Sequence, residues 1–328
     1  MSLSSPIRWG IIGCGDVCEI KSGPAFYKAE GSSLVAVMRR DAVKAEDYAR
    51  RHHVAHWYSD ADQLISDPGV NAVYIATPPS SHAEYAISAM RAGKPVYVEK
   101  LMASSYLECV EMNRVSHESG IPLLVAYYRR SLPYFLKIKE IVNSGEIGEI
   151  ISINICFRSP ATPQDSNPHH KPWRVQPEFA GAGYFYDMAC HTLDILDFLL
   201  CEIVEARGQK TNRAGLYDAE DTVTASFRLS SGVIGCGEWA YAAPATSNCD
   251  KVVITGSKGR IRFATFSLAP ICVQTIHSLA EFSFPRPEHI QQPMIEAIVA
   301  QLRGNGKSPS DGISAAQTNW VMDNILGK

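Results

Sequence analysis

Five short apolar runs in the first 126 residues are separated by segments with helical periodicity. The runs cover residues 7–12, 34–38, 72–76, 95–98 and 122–126. A strand that is buried on both faces has such an uninterrupted apolar sequence, and parallel strands need a crossover helix between them. The pattern therefore predicts an α/β domain with a doubly wound parallel sheet over residues 1–126.

The pattern changes after this point. Helical periodicity recurs in four segments, at residues 133–143, 184–200, 290–303 and 313–325. The other ordered segments are β-rich, and glycine-containing turns typical of antiparallel hairpins separate several of them. They cover residues 150–158, 222–229, 233–240, 251–255, 260–263 and 271–276. Residues 127–328 are therefore predicted to form an α+β domain with a largely antiparallel sheet.

A glycine-rich turn follows the first predicted strand directly. Gly13 and Gly15 form a G-x-G pair, Asp16 and Val17 begin the next predicted helix, and Cys18 stands where a third glycine or an alanine is usual. In a dinucleotide fingerprint the first glycine permits the tight turn and the second lets the pyrophosphate approach the backbone. The third position needs a small side chain against the strand. This context predicts a Rossmann domain that binds NAD or NADP, although a G-x-G pair also occurs as a purely structural turn.

The end of the second predicted strand favours one of these cofactors. In NAD-binding domains an acidic residue at this point hydrogen-bonds the 2′-hydroxyl of the ribose. Here Arg39 occupies the position, and Arg40 and Asp41 follow it. A guanidinium group suits a 2′-phosphate, which predicts NADP in preference to NAD. The alternative is that both arginines are solvated surface charges and that Asp41 only caps the next helix.

Polar side chains stand at two unexpected places. Lys100 follows the fourth predicted strand, at the edge where doubly wound sheets bind ligands, and an ammonium group there can stabilise a developing alkoxide. Asp187, His191 and Asp194 have the spacing of one face of an otherwise apolar helix. Such a polar stripe is costly unless it is paired or lines a site, and a histidine there can act as general acid or base. The alternatives are a surface lysine and a core histidine bonded to Asp187.

The composition excludes several classes of protein. The 328 residues carry a net charge of −3, so there is no basic surplus for nucleic acid. No apolar run reaches the roughly 18 residues needed to cross a membrane. The nine cysteines are an odd number without a Cys-x-x-Cys pair, so neither disulfides nor a zinc site is predicted. Residues 1–6 lack the apolar stretch of a signal peptide, and we expect a soluble, cytoplasmic protein with reduced thiols.

Several motifs occur together in the order found in one known family. They are GIIGCG at 10–15, ATPPSSH at 76–82, EK at 99–100, YYRR at 127–130, WR at 173–174, GAG at 181–183 and the polar stripe at 187–194. The chain resembles the Gfo/Idh/MocA oxidoreductases over nearly its whole length. The resemblance implies a Rossmann domain followed by a second domain whose sheet is open on one face. It also implies a homo-oligomer, a dimer or tetramer, formed through that sheet.

The resemblance assigns a role to each motif. It implies that Lys100 contacts the reacting oxygen, that His191 is the general acid and base, and that Asp187 binds substrate and orients the histidine. The residues implied on the cofactor side are Thr77, Pro78, His82 and Glu99, and those implied on the substrate side are Tyr128, Trp173 and Arg174. Besides Cys18 and Arg39, two further residues depart from the family pattern. Leu101 replaces the proline that commonly follows the Glu-Lys pair, which predicts a more loosely placed lysine, and Ala182 replaces a glycine before the catalytic helix.

The activity implied by the resemblance is hydride transfer between NAD(P) and a CH–OH group of a sugar, polyol or related hydroxy-ketone. No metal is expected, because Lys100 supplies the positive charge. Three alternatives remain open. They are an NAD-dependent glycosidase of the same family, an enzyme like trans-dihydrodiol dehydrogenase, which often has tyrosine at the position of His191, and a non-catalytic nucleotide sensor. A sensor would have no need of Lys100, Asp187 and His191.

Overall fold

A computed structural model describes residue 3, residues 6–167 and residues 171–328. Residues 1, 2, 4 and 5, which belong to the N-terminal stretch used to predict localisation, lie outside the described part. No helix in the described part is both long and apolar enough to cross a membrane.

The chain forms two compact units. The first consists of Met1–Leu132 and Pro287–Ala316, and the second of Pro133–Arg286 and Gln317–Lys328. These units differ from the predicted division after residue 126. The prediction assigned residues 127–328 to one domain, whereas the segment Pro287–Ala316 belongs to the first unit and buries an apolar helix face there.

The first unit contains a six-stranded parallel sheet. Its strands are β1 (Ile7–Ile12), β2 (Ser32–Met38), β3 (His56–Tyr58), β4 (Ala72–Ile75), β5 (Val96–Val98) and β6 (Leu123–Val125). Their order is β3-β2-β1-β4-β5-β6, which is the doubly wound Rossmann order. The predicted parallel sheet is thus confirmed. Strand β3 was not predicted, because it is a three-residue edge strand with no buried residue and therefore has no apolar run.

Six helices connect these strands. They are α1 (Asp16–Ile20), α2 (Gly23–Lys28), α3 (Ala42–Arg51), α4 (Ala61–Ser66), α5 (His82–Arg91) and α6 (Tyr106–Ser119). The helix predicted to begin at Asp16 is short and ends at Ile20. Gly23 and Pro24 begin a new helix, and proline is favoured in the first turn because it has no N–H to lose.

The second unit contains an eight-stranded sheet. Its strands are β7 (Ile150–Arg158), β8 (Ile203–Thr211), β9 (Thr222–Leu229), β10 (Ile234–Ala240), β11 (Cys249–Gly256), β12 (Gly259–Phe263), β13 (Ile271–Thr275) and β14 (Leu279–Phe282). Their order is β14-β13-β12-β11-β7-β10-β9-β8, and all neighbours are antiparallel except β7 and β10. The prediction of a largely antiparallel sheet is confirmed. Along β9 buried and exposed side chains alternate, so one face of the sheet is covered and the other is open.

Five further helices follow along the chain. They are α7 (Pro133–Asn143), α8 (Pro177–Ala180), α9 (Cys190–Leu199), α10 (Gln292–Leu302) and α11 (Gly312–Leu326). The continuous helix predicted over 184–200 is interrupted, since Phe185–Ala189 forms a π-helical turn before α9. Helix α10 belongs to the first unit and packs against α2 and the 3₁₀ turn at Tyr128–Ser131.

Candidate functional site

Gly13 fixes the turn after β1. Its φ of +91° lies in the left-handed region, and a Cβ at this position would stand 2.7 Å from Cγ2 and 2.9 Å from the backbone nitrogen of Thr77. Only glycine meets both constraints. The close approach joins the loops after β1 and β4, which are neighbours at the point where the strand order reverses. Ligands of doubly wound sheets bind at this switch point.

Gly15, unlike Gly13, is not required to be a glycine by its backbone conformation or by its neighbours. Its backbone is extended, with φ of −106°, and a Cβ would meet only the carbonyl oxygen of Gly13 at 3.9 Å. Within the described residues, neither the backbone conformation nor the packing requires glycine here, so the missing side chain suits a ligand that approaches the backbone closely. Cys18 is fully buried beneath the turn, its Sγ 3.9 Å from the carbonyl oxygen of Gly13. The residues of this turn therefore fit a dinucleotide pyrophosphate, and Asp16 and Val17 begin α1 beside it.

The two arginines after β2, Arg39 and Arg40, differ in their burial. Arg39 is half-buried, and its Nη1 donates to the carbonyl oxygen of Cys14 in the glycine turn at 3.3 Å. Arg40 is exposed. Asp41 caps α3 by accepting a hydrogen bond from the backbone N–H of Lys44 at 3.2 Å. Asp41 thus has the capping role considered above, whereas Arg39 is held beside the glycine turn.

His82 connects two of the loops at this edge of the sheet. It is fully buried, with Nε2 2.7 Å from the carbonyl oxygen of Thr77 and Nδ1 2.8 Å from that of Leu101. Burial lowers the pKa of His82, although both carbonyl groups oppose this. The loop through Thr77 and Pro78 is thereby joined to the turn after β5.

The Glu99–Lys100 pair stands at the end of β5 in a hydrogen-bonded setting. The buried Glu99 accepts from Tyr74 Oη and from Gln291 Nε2, both at 2.6 Å, and its other oxygen lies 3.2 Å from the backbone nitrogen of Lys100. Leu101 is buried and joined to Lys100 by a cis peptide bond. Leu101 itself is fixed by its burial and by the hydrogen bond from its carbonyl oxygen to His82, and the looser placement of Lys100 stays a prediction.

The helix predicted to carry Asp187, His191 and Asp194 is not a regular α-helix along its whole length. Asp187 lies in the π-helical turn, whereas His191 and Asp194 lie in the regular helix α9, so the three do not share one regular α-helical face. His191 and Asp194 are both buried. Asp194 accepts from Thr318 Oγ1 at 3.4 Å, an interaction inside the unit. π-Helical turns are frequent at functional sites.

Two residues predicted on the substrate side lie beside Asp187. The Nε of Arg174 donates to Asp187 Oδ2 at 3.1 Å, and its guanidinium group stands 4.7 Å from the centre of the Trp173 ring. The structure therefore brings Trp173, Arg174 and Asp187 together. Tyr128, also predicted on the substrate side, belongs to the first unit. Its hydroxyl accepts from Arg129 Nη1 at 3.1 Å.

A loop not identified from the sequence flanks His191. The ring of Phe266 meets the His191 ring nearly at right angles, with centroids 5.9 Å apart. The loop is held by Asp250, whose carboxylate accepts from the backbone N–H groups of residues 265–267 at 2.8 to 2.9 Å. No sequence pattern near Asp250 indicates this role, because its partners lie on a different segment.

Comparison with known proteins adds to this geometry. A model described as an oxidoreductase family with an NAD-binding Rossmann fold matches residues 7–127, and a model of the GFO/IDH/MocA C-terminal domain matches residues 135–262. Oxidoreductase P35 of Formosa agariphila is 39% identical over 327 residues, covering 99% of this chain and 100% of that protein. The scyllo-inositol 2-dehydrogenase (NAD(+)) of Bacillus subtilis is 27% identical over 314 residues, covering 92% of this chain and 88% of that protein.

Among solved structures, levoglucosan dehydrogenase in complex with NADH and levoglucosan shares the fold. The TM-score is 0.86 at 23% identity, covering 98% of this chain and 96% of that one. These matches cover both domains, and they agree with the glycine turn and the Rossmann strand order of the structure. The chain therefore belongs to the Gfo/Idh/MocA oxidoreductase family and carries that family's NAD-binding Rossmann fold and C-terminal domain.

Proposed function

We propose that this protein transfers hydride between NAD(P) and a carbon bearing a hydroxyl group in a sugar, polyol or related hydroxy-ketone. The observation that carries the proposal is the Glu99–Lys100 turn at the carboxyl end of β5. A lysine held there beside a buried, hydrogen-bonded carboxylate gives a dinucleotide-binding unit a group for chemistry as well as for binding. The named activities of the relatives, on scyllo-inositol and levoglucosan, support this substrate class.

The nicotinamide, when bound, supplies or accepts the hydride. We assign to Lys100 the positive charge that stabilises the reacting oxygen, and to His191 the proton that this oxygen gains or loses. Because Nδ1 of His191 is buried, we assign the proton transfer to its Nε2. Asp187, held by Arg174, then binds the substrate and orients the imidazole. General acid–base help of this kind contributes on the order of 10²–10⁴ in rate.

NADP is the cofactor that Arg39 favours. Its guanidinium group is held at the glycine turn by the carbonyl oxygen of Cys14, and the only carboxylate nearby in sequence, that of Asp41, is engaged in capping α3. A planar, permanently charged donor group suits a ribose 2′-phosphate.

A homo-oligomer through the open face of the second-unit sheet is also proposed. On that face Ile234 of β10 is 61% exposed, and a groove of about 400 Å³ crosses β7, β8, β9 and β10. A single exposed apolar side chain is common on protein surfaces, so the proposal rests mainly on the open face of the sheet and its groove. Light scattering of the eluting protein after size exclusion measures the mass. A monomer at micromolar concentration contradicts this proposal and leaves the proposed chemistry untouched.

The activity is tested by following absorbance near 340 nm. Purified protein is mixed with NADP⁺ or NAD⁺ and with scyllo-inositol, levoglucosan or a panel of other sugars and polyols. We expect absorbance to rise with at least one substrate, faster with NADP⁺. A cofactor that stays bound while a glycoside is cleaved, with no net formation of NAD(P)H, would instead support the glycosidase alternative. Binding of dinucleotide with no chemistry on any compound would support a sensor.

A further inference from the structure

The chain returns to the first unit just before α10, and this return segment contacts the helix that follows the glycine turn. His289 Nδ1 donates a hydrogen bond to the carbonyl oxygen of Ile20 at 2.7 Å. The backbone N–H of Gln291 donates to the carbonyl oxygen of Lys21 at 3.1 Å. Ile20 is the last residue of α1, and Lys21 caps it. The backbone of the return segment is therefore fixed against the C-terminal end of α1.

The side chain of Gln291 extends from this point to the Glu99–Lys100 turn. Gln291 is 1% exposed, and its Nε2 donates to Glu99 Oε1 at 2.6 Å. Its own Oε1 accepts from Tyr97 Oη at 3.1 Å, which orients the amide so that nitrogen faces the carboxylate. Tyr74 Oη donates to the same oxygen of Glu99. Burial raises the pKa of Tyr74 well above its usual value, so this hydroxyl stays protonated and remains a donor.

Both buried donors meet one oxygen of Glu99, which leaves the other oxygen facing the backbone N–H of Lys100. A buried carboxylate is costly unless it is hydrogen-bonded, so these donors fix its direction. Gln291 thus touches two parts of the unit at once. Its backbone N–H holds the end of α1, and its amide holds the carboxylate beside Lys100.

We infer that Gln291 is a positioning residue, which couples the dinucleotide-binding helix α1 to the Glu99–Lys100 turn through the Glu99 carboxylate. The inference rests on the proposed function. It concerns a residue 192 positions from Glu99, whose side chain hydrogen-bonds Glu99 and Tyr97. If Gln291 only filled space, an apolar side chain of similar size would replace it without effect on cofactor binding.

The test compares Gln291→Leu with Gln292→Leu in the full chain. The neighbouring Gln292 hydrogen-bonds Glu296 on the exposed side of α10 and is a matched control. Dissociation constants for NADPH and NADH are measured by quenching of protein fluorescence, well below the melting temperature of each variant. We expect Gln291→Leu to weaken the binding of the preferred dinucleotide at least fivefold, and to lower kcat more than it raises the KM of any sugar that is turned over. Gln292→Leu should match the wild-type protein.

Tyr74→Phe serves as a second variant, since it removes the other donor to Glu99 and keeps the ring. Tyr74→Phe should also weaken dinucleotide binding. If Gln291→Leu does not fold, this variant alone tests whether the donors to Glu99 affect cofactor binding. Dissociation constants within twofold of wild type in the folded variants, whatever their melting temperatures, would overturn the inference. A wild-type protein that binds neither NADPH nor NADH would instead overturn the proposed function, which is a separate outcome.

Discussion

Gly13 and Gly15 stand two positions apart, and each is a glycine for a different physical reason. Gly13 is required by the chain itself, because its positive φ and the backbone of Thr77 exclude a side chain. Gly15 has an ordinary backbone conformation and no close neighbour, so its lack of a side chain is best explained by something outside the chain. At the scale of single residues, the second kind of glycine is the stronger indication of a ligand.

His191 should be essential for turnover and dispensable for cofactor binding. A His191→Ala variant is expected to lower kcat by roughly 10²–10⁴, because general acid–base help is lost, while the NAD(P) dissociation constant stays within twofold. The exposed His117, in the last turn of α6, is a control whose change to alanine should alter neither quantity. Steady-state kinetics with any substrate found in the 340 nm assay measures the effect, and near-normal kcat in His191→Ala rules out the assigned role.

Arg39 should determine the cofactor preference. Replacing it by aspartate puts a carboxylate where the 2′-phosphate is proposed to bind, so Arg39→Asp is expected to weaken NADPH binding at least tenfold and to leave NADH binding equal or stronger. The exposed Arg40 provides the matched control Arg40→Asp, which introduces the same charge one residue away. Fluorescence titrations with both dinucleotides compare the two variants. Equal losses in both would mean that net charge, and not the position of Arg39, sets the preference.

At the scale of elements, the sequence predicts buried strands and amphipathic helices, because both have a clear apolar pattern. It does not predict elements without such a pattern. The strands of the parallel sheet with apolar runs were predicted, whereas β3, β8 and β14 were not. β3 and β8 are edge strands of their sheets, and β14 lies at the other edge of the larger one. These three edge strands bury few side chains, so their sequences lack both the apolar run and the clear alternation. β6 is also an edge strand, but all three of its residues are buried, and its apolar run was predicted.

The candidate site shows the same limit. Lys100, Asp187 and His191 were identified because charged groups stand out against apolar surroundings. Gln291 and Asp250 were missed, because each acts on groups far away in the chain and no local pattern marks such a contact. The π-helical turn at Asp187 was missed for a related reason, since a helix-like sequence does not reveal one wider turn.

The contact between α1 and α3 predicts a dependence of stability on pH. Hydrogen bonds from Arg51, and secondarily from His52, lower the pKa of Glu19 from 4.5 to about 2. A carboxyl with a lowered pKa in the folded state stabilises the fold above its unfolded pKa, and this contribution is lost as the pH falls from about 4.5 to about 2. Because Glu19 is partly exposed, the effect is expected to be small.

Urea unfolding at pH 7, 5 and 3 measures this dependence. We expect the free energy of unfolding of Glu19→Gln to fall less between pH 5 and pH 3 than that of the wild-type protein. The exposed Glu30 provides the control Glu30→Gln, which should follow the wild-type curve. Identical pH dependence in Glu19→Gln and wild type would show that this ion pair does not contribute to acid sensitivity.

At the scale of the whole molecule, the first unit is made of two segments that are far apart in the chain. The second segment supplies α10, and five of its apolar side chains are 2% exposed or less, namely those of Met294, Ile295, Ile298, Val299 and Leu302. Burial of a large aliphatic side chain contributes about 1.5–3 kcal/mol, so the first segment loses much of its stability without this helix.

A fragment comprising residues 1–132 is therefore expected not to fold cooperatively. Calorimetry should show no sharp unfolding transition, and the fragment should bind the dye ANS, which reports exposed apolar surface. The full chain under the same conditions is the reference. A fragment that melts cooperatively near the temperature of the full chain would show that α10 is an accessory and not a part of this core.

The divided first unit also has a consequence during synthesis. The glycine turn and all six strands of its sheet emerge from the ribosome early, but the helix that completes their packing is made only after the whole intervening sheet. At about 5–20 residues per second, this delay is on the order of 10–40 s. Throughout that time the nascent chain exposes the apolar surface that α10 later covers, and this surface is where a chaperone would be expected to bind.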